Sequence, residues 1–337
     1  MKVFVTGSRG YLGSLVVESL RNSDCYVIGC DIGIARLAEW NDLVAPNEAI
    51  GTDFRLLNEE YFARCDYLIH LAAIPNETCA EIQGMKVFEI NTKAAIEIAK
   101  KAKLAGVKRF IFASSCSVYE NSSGFIMNER YPIIPKSLYA ISKYKAELGL
   151  KKLADKYFNV ACLRFATAYG VSPSLRLDLV LNAMTVSSFL DKKIYVYGNP
   201  HRYRPFCSAK QISGFISYIA QKKSWPNNYL CLNVGSNRQN YSLSRAAKIV
   251  NEVFPESKII YCKNSNTDTR NYTVDFSLLA SSFPSFVIKE DMPDEVRILS
   301  DRFKKYGSTK LIQNLHNFNR KYSYSFFVTS LQKTADK

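Results

Sequence analysis

The stretch that most restricts the fold is the N-terminus. Lys2-Val-Phe-Val-Thr6 is a short apolar run, and it leads directly into Gly7-Ser-Arg-Gly10-Tyr-Leu-Gly13. Leu12, Leu15, Val16 and Leu20 then recur at helical spacing on one face. Strand, glycine loop and helix in that order make a phosphate cradle. The glycines allow a tight turn and close backbone approach, and the helix N-terminus faces an anion. Gly7, Arg9, Gly10, Tyr11, Leu12 and Gly13 are therefore expected to hold the pyrophosphate of a dinucleotide. Such a unit belongs at the start of an α/β fold, a doubly wound parallel sheet with helices on both faces.

The following segments continue that alternation. Cys25-Tyr-Val-Ile-Gly-Cys-Asp31 reads as the second strand, and its closing acid stands 18 positions past Gly13. A carboxylate there is placed to accept hydrogen bonds from the adenosine ribose, which favours NAD over NADP. Arg9 argues for NADP, since an arginine in the loop can meet a 2′-phosphate, so NADP stays open. Ala49-Ile-Gly-Thr-Asp53-Phe54 suggests a short strand whose end meets the adenine. Asp66-Tyr-Leu-Ile-His70 runs into Leu71, Ala72 and Ala73, small enough for a dinucleotide to lie against the backbone. His70 reads as a packed strand-end histidine. A long helix over about 86–105 carries Asn91, with Gly106 at its end.

Arg109-Phe-Ile-Phe-Ala113 delivers a hydroxyl-rich turn, Ser114-Ser115-Cys116-Ser117-Val-Tyr119, at the carboxyl end of a strand, where ligands bind in open parallel sheets. Tyr139-Ala-Ile-Ser-Lys143 follows 24 residues after Ser115. Tyrosine and lysine four apart share one helix face. A phenol ordinarily ionises at about pH 10, and a neighbouring ammonium is a means of bringing it into a useful range. With 21 tyrosines in the chain the spacing can arise by chance. Its position after the glycine loop and the serine turn gives it weight.

Past Gly170 the alternation breaks. The sequence predicts an irregular region with a helix over about 177–191, a strand at 194–197 and a basic loop at 201–205. Two further βα-like pieces follow, around 209–234 and 242–262. A division follows: a dinucleotide domain of residues 1–171 plus about 206–236, a smaller substrate domain of 172–205 and 237–315, and a tail, 316–337, of unassigned structure. The 337 residues match about two domains.

Composition narrows the classes. No run of ~18 apolar residues is present, so no membrane span is expected. Nine cysteines without a CxxC pair read as reduced thiols of a cytoplasmic protein. Three histidines far apart argue against a metal site. The formal charge of +15 comes from scattered basic residues without an arginine-rich arm. That excludes a nucleic-acid surface and fits anionic small substrates.

Taken in order, Thr6-Gly7-x-x-Gly10-x-x-Gly13, Asp31, His70-Leu-Ala-Ala73, Asn91, Ser114-to-Tyr119, Tyr139-x-x-x-Lys143, Leu163-Arg-Phe-Ala-Thr-Ala-Tyr-Gly170, Tyr203-Arg-Pro205 and Asp268-x-Arg270-x-Tyr272 resemble one family. It is the extended short-chain dehydrogenase/reductases, the NAD-dependent epimerase/dehydratase family acting on nucleotide sugars, and the likeness covers about residues 1–300. The resemblance implies that Ser115 and Tyr139 share the proton of a sugar hydroxyl, usually at C4. Lys143 would lower the tyrosine pKa and hold the nicotinamide ribose. Ser115, Ser117, Thr167, Arg176, Arg204 and Arg270 would line the nucleotide-sugar side, the arginines suiting a diphosphate. It also implies a homodimer, through helices near 86–105 and 139–157.

Departures from the family pattern matter too. The 4,6-dehydratase relatives carry Asp-Glu where this chain has Cys116 and Ser117, and the 3,5-epimerase/reductase relatives carry a cysteine at the place of Ser117. Both activities are therefore disfavoured. Cys116 itself reads as a packed thiol. Glu120 replaces a common glycine. The leading expectation is a nucleotide-sugar 4-epimerase that recycles NAD; a 4-dehydrogenase or 4-ketoreductase using the same residues is the alternative. A catalytically silent NAD-binding regulator ranks last, because both Tyr139 and Lys143 are present.

Overall fold

The computed structural model describes residues 1–33, 43–120, 124–262, 270–289 and 292–308. The expected tail and Asp268 lie outside them. Seven parallel strands form the central sheet: β1 (Lys2–Thr6), β2 (Tyr26–Cys30), β3 (Glu48–Ile50), β4 (Tyr67–His70), β5 (Arg109–Ser115), β7 (Asn159–Phe165) and β11 (Tyr229–Val234). Their spatial order is β11-β7-β5-β4-β1-β2-β3. Both faces of these strands are covered, so their residues are apolar in succession rather than in alternation. Val3 and Val5 point to one core with Ile111 and Ala113, whereas Phe4 points to the other with Phe110 and Phe112.

Helices supply the two covers. On the first face α1 (Tyr11–Arg21) and α7 (Ala209–Gln221) bring Val16, Val17, Leu20, Phe215 and Ile219 onto the sheet. On the second, α4 (Ala95–Leu104) and α5 (Leu138–Lys151) bring Ile98, Ala102, Ala146 and Leu150. Full burial of one such large apolar side chain contributes about 1.5–3 kcal/mol. The crossing of α4 and α5 is close: a Cβ added at Gly149 would lie 2.2 Å from Ile96 Cδ1.

The remaining elements pack beside this layer. They include α6 (Val180–Asp191), β9 (Lys193–Tyr197), α8 (Leu243–Val253), β13 (Lys258–Cys262) and α10 (Met292–Tyr306), around a core of Leu181, Ile194, Phe206, Ile249 and Val296. A small sheet of β12 (Asn240–Ser242), β10 (Tyr203–Ser208) and β8 (Thr167–Tyr169), and the short pair β6 (Ile126–Met127) and β14 (Thr273–Val274), complete the fold with α9 (Ser277–Ser282). From β10 the chain returns to the main sheet through α7 and β11.

The helix expected over 86–105 is composite. It begins as α3 (Lys86–Phe88), widens into a π-helical turn over Glu89–Ala94, and continues as α4. A separate short helix, α2 (Glu77–Gln83), precedes it, capped by the Asn76 side chain.

The topology places the site. Strands β2 and β3 lie on one side of β1, and β4 and its successors on the other, so the order reverses between β1 and β4. The chain segments leaving those two strands diverge there, which opens a crevice at the carboxyl ends of the strands. Thr6 and His70, paired in register, mark its floor.

Candidate active site

The dinucleotide side is built from main chain. Gly7 adopts φ +70, and a Cβ on it would lie 2.7 Å from Ala72 N. At Gly13 an added Cβ would meet Gly7 O at 1.9 Å, so the first turn of α1 rests on the loop with no room for a side chain. Gly10 N donates to Gly7 O (3.0 Å) and closes the turn. Ala72 and Ala73 follow β4 as small residues, in line with a cradle for a dinucleotide. Asp31 sits at the outer corner, where its carboxylate accepts from Arg9 N (3.0 Å) and Gly33 N (2.7 Å). The Arg9 guanidinium lies over the same corner, 3.9 Å from the position a Cβ of Gly33 would take.

Several residues expected at the cofactor also make contacts within the chain. The Tyr11 hydroxyl donates to Gly170 O (2.8 Å) and is buried, so it ties α1 to the segment after β8. Leu12 packs between two apolar clusters. Phe54 is buried with its ring 4.8 Å from that of His70. The Asp53 carboxylate accepts from Arg55 N and from its guanidinium, which caps a short turn. Asn91 is buried on the π-helical turn; it accepts from Ile74 N (2.8 Å) and donates to Ile74 O (3.0 Å) and Ser142 Oγ (3.2 Å). It therefore fixes the segment after β4 against α5 and acts on the site from behind. His70 is a neutral core histidine: its Nδ1 lies 2.7 Å from Thr6 Oγ1, and burial depresses its pKa to about 3.

The reacting side is built from side chains. Strand β5 ends at Ser115, whose Oγ accepts from Ser117 N (3.1 Å) and donates to Ser117 Oγ (3.0 Å). Helix α5 starts at the Ser137 cap, one residue before the turn that carries Tyr139. Glu120, the residue in place of a common glycine, accepts from Lys136 N and Ser137 N and so anchors that start. The Ser115 hydroxyl faces the Tyr139 phenol and favours its ionised form. Lys143 lies one turn on, its Nζ 5.9 Å from the Tyr139 ring centre and donating to Ala113 O (2.8 Å).

In the chain without ligands, burial pushes the Tyr139 phenol well above its ordinary pKa, and the Glu77 carboxylate adds to that; Arg176, the Ser115 hydroxyl and Arg270 pull the other way. Burial also brings Lys143 down to about 7, an effect that Glu147 opposes. Burial thus acts against the charged form of both members of the Tyr139–Lys143 pair. Behind it, Glu147 forms a buried double contact with Arg164 at 2.6 and 2.9 Å and accepts from Ser114 Oγ (2.5 Å). The Cys116 thiol is buried against Arg164 O (3.2 Å), a packed group as expected.

The arginines divide. Arg270 lies 3.4 Å from Ser117 Oγ and pairs with Glu77 at 2.6 Å. Arg176 pairs with Asp178, which also accepts from Asn76 Nδ2 (2.9 Å). Both pairs bear on Tyr139. Arg204, expected against the substrate, is buried: it donates to Tyr203 O and Arg270 O and stacks on the Tyr272 ring at 5.4 Å. It lies on β10, which is buried from Arg204 to Ser208. Thr167 stands beside it on β8, paired with Phe206. Sequence reading did not single out Glu77, Asn76 or Asp178. Their only local signal is the Asn-Glu start of a helix.

Glycine cradle, crevice and the Ser-Tyr-Lys set together define a dinucleotide-dependent enzyme of the short-chain dehydrogenase/reductase type. The chain belongs to the NAD dependent epimerase/dehydratase family, which it matches over residues 3–235. It is 27% identical over 222 residues to an uncharacterized UDP-glucose epimerase of Bacillus subtilis, YtcB, covering 61% of this chain and 68% of that protein. Among solved structures, MoeE5 in complex with UDP-glucuronic acid and NAD is 25% identical, with a TM-score of 0.78 over 90% of this chain and 99% of that one. UDP-glucuronic acid 4-epimerase from Bacillus cereus is similar in fold, at 21% identity and a TM-score of 0.80, covering 91% of this chain and 100% of that one.

Among the described residues no group of His, Cys, Asp and Glu could hold a metal ion, and no helix is long and apolar enough to cross a membrane.

Proposed function

We propose that this protein is a nucleotide-sugar 4-epimerase that retains NAD. The observation that carries the reading is the meeting of Ser115 and Tyr139, one helical turn from Lys143, at the crevice whose other wall is the glycine loop. Bound NAD would accept the C4 hydride of the sugar and return it. The glycine loop from Gly7 to Gly13, with Ala72 and Ala73, would hold the dinucleotide, and Asp31 would take the ribose hydroxyls and set the preference for NAD over NADP. Tyr139 takes the proton of the C4 hydroxyl, with Ser115 as its hydrogen-bonding partner. After the 4-keto sugar turns its other face, Tyr139 returns the proton to the oxygen. Burial of Tyr139 keeps water from that exchange. Lys143 would meet the nicotinamide ribose, and Arg176 and Thr167 the nucleotide-sugar side.

The substrate class follows from the relatives, which carry UDP-sugars in their names. A single-pass 4-dehydrogenase or 4-ketoreductase uses the same residues; it differs in releasing a reduced or oxidised cofactor in step with product. Two further expectations belong to this reading: a cytoplasmic location, which suits nine cysteines outside any disulfide, and a homodimer through the helices near 86–105 and 139–157, where Leu104 and Leu148 are exposed.

The test is direct. Purified protein is expected to carry close to one NAD(H) per chain and to interconvert UDP-glucose and UDP-galactose without net NADH release. Tyr139→Phe should lower turnover by about 10³-fold or more while the bound NAD stays. Unchanged turnover in that variant would remove Tyr139 from the mechanism, and stoichiometric NADH release would select the dehydrogenase.

A further inference from the structure

The Glu77–Arg270 pair lies at the reacting end of the site. Arg270 is 3.4 Å from Ser117 Oγ, and Ser117 is 3.0 Å from Ser115, the partner of the Tyr139 phenol. In a sugar nucleotide the diphosphate is on C1, across the ring from C4. The C6 carbon is only two bonds from C4. With C4 held at Ser115 and Tyr139, the neighbourhood of Ser117, Arg270 and Glu77 meets a substituent next to C4, and of these the C6 group is the one that is hydroxymethyl in a hexose and carboxylate in a uronate.

The pair is partly shielded, with 17% exposure for the Glu77 side chain and 23% for that of Arg270, at a separation of 2.6 Å. Arg270 therefore has its charge already matched. We propose that Glu77 is a specificity-determining residue: it accepts a hydrogen bond from an uncharged C6 hydroxymethyl group and excludes sugars with a C6 carboxylate. The inference rests on the sugar-nucleotide reading above. A uronate entering here would set two carboxylates on one guanidinium in a half-dry site. Such an arrangement is disfavoured, since one guanidinium then faces two like charges. A hydroxyl group meets no such conflict and donates to Glu77 directly.

The experiment uses the full-length, NAD-loaded protein and calorimetric titration with UDP-glucose and UDP-glucuronic acid. The wild-type chain should bind UDP-glucose about 30-fold more tightly, the order expected of one unfavourable charge contact in a partly screened site. Glu77→Gln should shrink the ratio below about threefold. Glu77→Asp, which keeps the charge, should restore most of it, and both variants are checked by thermal unfolding. Equal binding of the two sugars by the wild type, or an unchanged ratio in Glu77→Gln, would overturn the proposal. Binding with the expected ratio but without epimerisation would overturn the 4-epimerase reading and leave Glu77 in its role. Binding of neither sugar nucleotide by NAD-loaded protein would reject both.

Discussion

The two walls of the site are made of different material. On the cofactor wall the critical contacts are between backbone atoms, set by the absence of side chains: Gly13 on Gly7 O, Gly7 on Ala72 N. On the sugar wall they are between charged side chains from distant segments, Glu77 with Arg270 and Arg176 with Asp178. The first wall tolerates almost no change of shape. Its chemistry is generic, since any dinucleotide pyrophosphate meets the same N–H groups. The second can change by single substitutions without disturbing the sheet, so substrate choice can vary on a constant frame.

A substitution at the tightest backbone contact gives the largest effect. Gly13→Ala places a methyl 1.9 Å from Gly7 O, a separation no rearrangement of the side chain can relieve. The loop must open, and NAD retention should fall by more than about 100-fold, as the phosphate-facing geometry depends on it. The measurement is cofactor content after purification, with added-NAD titration by fluorescence. Retention within a few-fold of the wild type would show that the cradle is more plastic than the described contacts allow.

The same contrast explains what could be read in advance. Gly7-x-x-Gly10-x-x-Gly13 and Tyr139-x-x-x-Lys143 are local: a turn and one helical turn fix their geometry, so spacing alone carries the information. The doubly wound parallel sheet followed from the alternation of strand and helix up to Gly170. The ion pairs of the sugar wall join positions 77 and 270, or 76 and 178, and nothing in local periodicity links them. Arg204 and Arg270 look alike as sequence, yet one is buried on backbone carbonyls and the other stands beside Ser117. The depth at which the Tyr-Lys pair is buried is hidden for a similar reason, because burial is a property of the finished fold.

At the floor between the walls, His70 gives an effect of intermediate size, felt in stability. Its folded pKa is about 3 against about 6.5 for an unfolded histidine. As pH falls below 6.5 the unfolded chain takes the proton first. The contribution of neutral His70 is therefore complete above pH 6.5 and is lost progressively as pH drops toward 3, at up to about 1.4 kcal/mol per pH unit. Denaturant unfolding at pH 7, 6 and 5 should show a steeper loss for the wild type than for His70→Asn, which has no titrating group there. Parallel slopes would mean that His70 gains a partner for its Nε2 and holds a proton in the fold.

The smallest effect sharpens the boundary of the cofactor wall. Asp53 ends the segment after β3, where an acid was expected to meet the adenine. Its carboxylate is turned instead onto Arg55: one oxygen accepts from the Arg55 N–H at 3.0 Å, and the other from its guanidinium at 2.6 Å. That pairing holds its pKa below the usual carboxylate range, with the Arg55 side-chain hydrogen bond as the leading cause. With Arg55 45% exposed, the pair is a surface contact worth about 1 kcal/mol or less. Asp53→Asn keeps the cap and one acceptor oxygen, so NAD affinity should change by less than about threefold and stability by a fraction of a kcal/mol. Loss of NAD affinity beyond tenfold would mean that Asp53 releases Arg55 when the adenine arrives, and the cofactor wall would then contain one side-chain contact of the kind that otherwise marks the sugar wall.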